Sequence, residues 1–420
     1  MSFLEVEHTM REDPFATIVE EGQDTAVLHR ESTFPKIRAN EQGEAELVFE
    51  QQLRYQRLKP LGMGAIGEVD LVQDNDIRRA VARKKIRKDK KKDLQVMRFI
   101  EEVQIVGQLE HPNIVPIHDV GVDEEGDYFF TMKYVEGETL KQIIQKLKDG
   151  DPAAHLTYTF ERRTQIFLEI LRGVAFAHRA GYIHRDLKPD NIMIGQYGEV
   201  MVMDWGSAKK IRKTSSTSEH DAQFLKNAAQ TFAHTSNCSG DWEDRVFRTQ
   251  KGALVGTPAY MSPEQAYGLN DELDERSDVY SLCVVFFEFL NLQHYLTNKR
   301  TIEELFNGIV SEPAVDSESL SHPHQGPVPR ELCFFLREGL QKSRERRFRS
   351  VDEMIVILQA TTEGRICIHC PSTFFKRAAQ ELGRYLDNHR VLGVVWIGIA
   401  LSLMLAGVLQ SGFWIWALLT

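Results

Sequence analysis

The spacing of apolar residues changes character once along this chain, and that change limits the fold more than any other feature. From Tyr55 the sequence runs in short strand-like stretches punctuated by glycine. From Glu161 helical spacing takes over, as in "RTQIFLEILRGVAFAHRA" (163–180). A strand-rich part followed by a helix-rich part predicts an α+β body in two lobes. At 420 residues the chain exceeds one ordinary core. Residues 211–250 break the texture with the polar, Ser/Thr-rich stretches "IRKTSSTSEHDAQFLKN" and "TSNCSGDW", which read as an inserted mobile loop.

Charge is unevenly placed. Residues 1–50 hold twelve Asp/Glu and four Lys/Arg, so they carry −8 of the net −10. The remaining body is near neutral, which argues against a general nucleic-acid binder. The acidic start is weakly patterned and predicts a disordered extension over 1–50; it lacks the basic start and apolar centre of a secretory signal. The basic run "RRAVARKKIRKDKKK" (78–92) reads as a solvated loop face, with a phosphate- or membrane-facing patch as the sharper alternative. Cys238, Cys283, Cys333, Cys367 and Cys370 are irregularly spaced, which suits a reducing compartment rather than a disulfide framework. "CIHC" (367–370) resembles half a zinc site, but no second pair completes it.

Val391–Thr420 contains no charged residue. About 20 apolar residues suffice to cross a bilayer core, so 391–420 predicts a single C-terminal membrane span. Lys376, Arg377, Arg384 and Arg390 precede it, which places the preceding domain on the cytoplasmic side of a cell membrane. Residues 361–390 would be the linker.

Several stretches carry phosphate chemistry. "LGMGAIGEVDLV" (61–72) fits G-x-G-x-x-G-x-V with a strand after it, so it reads as a hairpin whose glycines let backbone close over phosphates. In "AVARKKI" (80–86) a lysine at the end of an apolar strand projects a fixed positive charge, and the helix "RFIEEVQIVG" offers Glu101 and Glu102 as partners. "GYIHRDLKPDNIMI" (181–194) sets Asp186, Lys188 and Asn191 in one polar loop between apolar flanks. "VMVMDWGSAKK" (200–210) ends an apolar strand in Asp204, a hard oxygen ligand suited to Mg²⁺, and Asn191 can add a second oxygen. Asp186 remains as an acceptor for a hydroxyl proton and Lys188 as a cation beside a moving phosphoryl group.

In this order the motifs resemble the eukaryotic-type serine/threonine protein kinases, and more closely their membrane-anchored bacterial members, over roughly Tyr55–Leu358. The resemblance implies a bilobal protein kinase fold, with a small β-rich N-lobe over 51–135 and a larger helical C-lobe over 136–360. It implies ATP and Mg²⁺ as cofactors and proteins with Ser/Thr acceptors as substrates. Gly62, Gly64 and Gly67 would cover ATP; Lys84 would hold the α/β-phosphates and pair with Glu102. Val69, Ala82 and Met193 would sandwich the adenine, with Met132 as gatekeeper and Val135 in the hinge. Asp186 would be the catalytic base, Lys188 would neutralise the transferred group, and Asn191 and Asp204 would hold Mg²⁺. Thr257 would line the site, Glu264 would pair with Arg347, and Asp278 would brace the loop from below. Arg185 would bind a phosphate on the activation segment, with Thr249 and the Thr214–Ser218 cluster as acceptors.

Three departures from the family pattern stand out. Trp205 replaces the usual Phe, Arg83 and Lys133 are charged at unusual places, and Asp204 to Glu264 spans sixty residues. The expected function is a membrane-tethered serine/threonine protein kinase, with trans-autophosphorylation through a homodimer compatible with tethering. The alternatives are a membrane-bound pseudokinase scaffold, which only the insertion favours, and a small-molecule kinase, which "GTPAYMSPE" disfavours.

Overall fold

The glycine-punctuated stretch folds, in the computed structural model, into a five-stranded sheet of order β3-β4-β5-β7-β6. Its strands are β3 (Tyr55–Met63), β4 (Gly67–Asp74), β5 (Arg79–Ile86), β6 (Ile117–Val122) and β7 (Tyr128–Lys133). The structure describes residues 36–39, 45–48, 53–63, 67–87, 93–123, 125–211, 258–269, 273–299 and 301–363. Ahead of the sheet, β1 (Lys36–Ala39) and β2 (Ala45–Val48) pair antiparallel, Lys36 opposite Val48. The prediction of disorder over 1–50 fails for these eight residues. Each is only four residues long, too brief to register against the acidic composition around it.

The chain divides into two units, 1–96 with 118–132 and 97–117 with 133–420. In the first, β3 and β4 form the expected antiparallel hairpin, with register shifts at Arg57/Lys59 and Pro60/Gly62. Pro60 lies on the sheet edge, where its missing N–H breaks no ladder. Tyr55, Val72, Val81 and Phe129 form the core of this unit, and the Tyr55 and Phe129 rings meet edge to face at 5.7 Å. The basic run corrects an expectation: residues 79–86 are the central strand rather than a solvated loop face. There Lys85 is nearly buried, with Nζ 2.5 Å from Asp123, 3.0 Å from Glu125 and 3.1 Å from Asp127. Burial alone would lower its ammonium pKa; those carboxylates outweigh it and push the pKa above the ordinary range.

The second unit holds most of α1 (Asp93–Gly107), then α2 (Leu140–Lys148), α3 (Pro152–Thr157), α4 (Phe160–Arg179), α5 (Pro263–Ala266), α6 (Glu275–Asn291), α7 (Ile302–Val310), α8 (Arg330–Gly339) and α9 (Val351–Thr362). Helices therefore begin well before Glu161. Thr139 starts α2 through a capping box with Gln142, a four-residue signal easily overlooked beside the long pattern of α4. Short strands interrupt the helices: β8 (Gly137–Thr139), β9 (Tyr182–Ile183), β10 (Ile192–Gly195), β11 (Val200–Val202) and β12 (Lys209–Lys210). From Ser277 to Asn291 every residue of α6 is buried, the mark of a helix enclosed by its own domain. Phe286 of α6 stacks on Phe167 of α4 at 4.0 Å and meets Phe335 of α8 edge-on at 6.1 Å. Such rings stabilise by about 1.5–3 kcal/mol each through burial.

Cys283 and Cys333 are buried free thiols. Among the described residues no helix is long and apolar enough to cross a membrane. The predicted span 391–420, the "CIHC" pair, Gly64, Thr249, Thr257 and all of the insertion beyond Ile211 lie outside the described residues.

Candidate active site

The polar loop begins where α4 stops. Gly181 follows the helix at φ +86°, a left-handed turn that glycine makes without strain. β9 then pairs with β12, and the chain enters His184–Asn191. Arg185 also has a positive φ, 66°. What holds it there is Asp278 on α6, which is fully buried. Asp278 Oδ2 accepts from the His184 N–H at 2.8 Å and from His178 Nε2 at 2.7 Å, and Oδ1 accepts from the Arg185 N–H at 2.9 Å. Burial alone would raise the Asp278 carboxyl pKa. The His178 hydrogen bond and the neighbouring imidazoles more than reverse this and hold it below the usual range. The expected bracing of the loop from below is thus present as three converging donors.

The loop's functional groups meet within this frame. Lys188 Nζ donates to Asp186 Oδ2 at 2.5 Å. Asn191 Nδ2 donates to the Asp186 carbonyl at 2.9 Å and to Oδ2 at 3.3 Å. A short 3₁₀ turn, Pro189–Asn191, sets that spacing. With the amide nitrogen committed to Asp186, the oxygen of Asn191 remains as an acceptor. The Met203 N–H bonds to the Asn191 carbonyl at 2.9 Å, which docks the segment carrying Asp204 onto the loop. Asp204 is exposed and adopts φ 60°, a conformation Asp tolerates better than most residues. An amide oxygen and a carboxylate are ligand types that suit a hard dication such as Mg²⁺.

Of the two glutamates that the sequence offers, Glu102, the one that the resemblance implies, is buried and Glu101 is exposed. A Cβ added to Gly206 would lie 3.0 Å from Glu102 Oε2 and 3.5 Å from Asp204 Oδ1, so glycine is what lets the Glu102 carboxylate approach the backbone beside Asp204. Trp205 between them is 1% exposed, and its ring lies 4.5 Å from that of His184. Its indole Nε1 is buried without a hydrogen-bond partner.

In the first unit Lys84 lies on β5 directly opposite Val69 of β4, and Ala82 opposite Leu71. Lys84 Nζ sits 5.8 Å from the Phe130 ring centroid. Gly67 opens β4, and a Cβ there would lie 2.8 Å from the Lys85 carbonyl, so the position admits only glycine without rearrangement. Gly62 pairs with Val69 at the end of β3. Met132 is half-buried on β7. In the second unit Val135 is buried and Met193 pairs with Thr139 across β8 and β10.

The Glu264–Arg347 pair is bidentate, at 2.8 and 2.9 Å, and buried. Burial would raise the Glu264 carboxyl pKa; Arg347 instead holds it below the ordinary range. Three participants escaped the sequence. His178 reads there as one more position on the core face of α4. His184 joins Met203 and Asp186 through its two ring nitrogens, at 3.2 and 3.3 Å. Gln265 Nε2 donates to the Arg185 carbonyl at 2.8 Å. Only Gln265 had a visible signal, the S-x-x-Q capping box that it forms with Ser262.

A family model described as "Protein kinase domain" matches residues 55–356. The serine/threonine-protein kinase PknD of Protochlamydia amoebophila is 35% identical over 316 residues, covering 74% of this chain and 30% of that protein. PknD of Chlamydia trachomatis serovar D is 32% identical over 318 residues, covering 74% and 32%. A probable serine/threonine-protein kinase of Streptomyces coelicolor is 29% identical over 339 residues, covering 80% and 44%. The matched region spans about a third of the length of the two PknD relatives.

Proposed function

This chain belongs to the protein kinase family, and we propose that it transfers the γ-phosphoryl group of ATP to Ser and Thr hydroxyls of protein substrates. The supporting observation is the joining of Asp186, Lys188 and Asn191 in one hydrogen-bonded loop whose backbone is fixed by a buried carboxylate. Phosphoryl transfer asks for placed charge more than covalent chemistry. Asp186 would accept the proton of the incoming hydroxyl. Lys188, already against that carboxylate, would turn its charge to the transferred group. Asn191 and Asp204 would hold Mg²⁺, which when bound neutralises charge on the β- and γ-phosphates. Lys84 would serve the α/β-phosphates, Glu102 would orient that lysine, and Gly62, Gly64 and Gly67 would present backbone to them. Val69, Ala82, Met132, Val135 and Met193 would contact the adenine side.

The test is phosphate incorporation from radiolabelled ATP and Mg²⁺ by the full chain beside Asp186→Asn. Labelling by the parent alone supports the assignment; equal labelling refutes it. Against a nucleotide-binding scaffold without transfer stands the presence of Lys84, Glu102, Asp186, Asn191 and Asp204 together.

Residues 391–420 would tether the kinase unit to the cytoplasmic face of a membrane. Carbonate-resistant membrane association that disappears on deleting 391–420 supports this; release of the full chain by carbonate refutes it. Copies confined to one surface would phosphorylate one another, since tethering raises effective concentration. An Asp186→Asn copy that stays unlabelled beside active copies on the same vesicles would exclude that step.

A further inference from the structure

Lys84 and Lys85 stand next to each other on β5 and point to opposite faces of the sheet. Their aromatic neighbours agree: Lys84 Nζ lies 5.8 Å from the Phe130 ring centroid, while Arg83, on the face of Lys85, has its guanidinium 5.8 Å from the ring of Phe129. Lys84 has a proposed role toward phosphate. Lys85 has none, yet its surroundings are the more heavily built. It is 8% exposed, and its ammonium meets the carboxylates of Asp123, Glu125 and Asp127, the last fully buried.

The three carboxylates come from the turn between β6 and β7, which is closed on itself. The Asp123 N–H donates to the Asp127 carbonyl at 2.9 Å, and the Gly126 N–H to the Asp123 carbonyl at 3.0 Å. Asp123 Oδ1 accepts from the N–H groups of Glu125 at 3.0 Å and Asp127 at 2.9 Å, and Oδ2 meets Lys85. The main chain of Lys85 is equally confined: a Cβ on Gly67 would lie 2.8 Å from the Lys85 carbonyl and 3.4 Å from Lys84 Cγ. The backbone at Lys84 and Lys85 is thus pressed against the start of β4, while the Lys85 side chain is tied to a hydrogen-bonded turn. Burying such an ion cluster stabilises little beyond apolar packing of the same volume. What it supplies is a fixed place for the end of β5.

We propose that Lys85 is a positioning residue: by clamping the end of β5 to the β6–β7 turn, it holds Lys84 where its ammonium meets the phosphates of ATP. This rests on the proposed assignment of Lys84 to those phosphates and involves the first unit alone. A charge-assisted hydrogen bond needs its heavy atoms within about 2.7–2.9 Å, so a shift of about an ångström at Lys84 forfeits it.

Calorimetric titration of the full chain with ATP and with adenosine, both in Mg²⁺, separates this role from a purely structural one. Lys85→Met removes the clamp. Asp123→Asn keeps an amide oxygen for the two N–H groups of the turn and loses only the charged contact, so it is expected to fold even if Lys85→Met, which strands three carboxylates, does not. Lys85→Met should weaken ATP about tenfold and Asp123→Asn about threefold, with adenosine unchanged within about twofold. In a Lys84→Met background neither change should weaken ATP further, because both act through the same contact. Equal weakening of ATP and adenosine, parent-like ATP affinity in folded Asp123→Asn, or additive losses in the Lys84→Met background would each overturn the proposal. ATP binding by the parent that Lys84→Met leaves intact would instead refute the phosphate role of Lys84, and this proposal with it.

Discussion

Trp205 offers a quantitative test of how the core around the candidate site is balanced. Its side chain is 1% exposed and its Nε1–H has no partner. An unpaired buried donor costs about 1–3 kcal/mol. Replacing Trp205 by Phe removes that N–H and keeps a six-membered ring against His184. It also removes two ring carbons, worth about 0.8 kcal/mol each by burial, together with a small cavity cost. The two effects nearly cancel, so Trp205→Phe should lie within about 1 kcal/mol of the parent in stability. Trp205→Ala has no such offset and should lose about 3–5 kcal/mol. Urea unfolding followed by circular dichroism gives both numbers from the shift in midpoint at constant slope. A loss above about 3 kcal/mol for Trp205→Phe would mean that the indole N–H is satisfied in solution, and the balance between orphaned donor and buried ring would be refuted.

Three further outcomes follow from the same contacts. Arg347→Met strands Glu264 in a buried site and should destabilise by about 3–5 kcal/mol at neutral pH. Because the folded Glu264 carboxyl pKa lies below its ordinary value of 4.5, its contribution is complete above that pH and lost as pH falls below it; acid unfolding of the variant should be correspondingly shallower, and parallel acid slopes would refute the link. Asp278→Asn leaves one of three converging donors facing an N–H₂ group, a cost of about 1–3 kcal/mol. It should lower turnover about tenfold or more with little change in the KM for ATP, and an unchanged turnover would remove Asp278 from the positioning of the loop. Gly206→Ala puts a methyl 3.0 Å from Glu102 Oε2; steady-state assays should show turnover down about tenfold or more, since misplacement of about an ångström can cost a hundredfold.

The loop itself was legible because its geometry is local. Asp186, Lys188 and Asn191 are two and five residues apart, and one 3₁₀ turn brings them together. Glu102 could be preferred over Glu101 because helical spacing puts it on the inner face with Ile105. The β1–β2 pair and the capped start of α2 were hidden because signals of four residues carry little weight against the composition around them. His178 and the orphaned Trp205 nitrogen were illegible for another reason. A buried polar contact between residues 100 apart in sequence leaves no periodic trace. On α4, His178 occupies a position that an apolar residue could equally fill.

That distant contact explains how a loop of ordinary composition can hold unusual geometry. Arg185 at φ 66° is strained by about 1–3 kcal/mol, and its side chain is held by the Ser207 carbonyl, which accepts from Nε at 2.6 Å. The Asp278 carboxylate accepts the backbone N–H groups of His184 and Arg185, and hydrogen bonds to a charged group are worth about 1.5–3 kcal/mol each. Two such bonds exceed the strain, so α6 can hold the conformation, with Gln265 and the Ser207 carbonyl binding Arg185 from two other segments. Since α6 is enclosed on all sides by the core of its unit, the precision of Asp186, Lys188 and Asn191 derives from side-chain packing on Phe167, Phe286 and Phe335. Mutations that loosen that aromatic cluster should therefore lower turnover before they lower the content of folded protein, an ordering that parallel measurement of rate and circular dichroism across a Phe286→Leu, Phe286→Val and Phe286→Ala series would reveal.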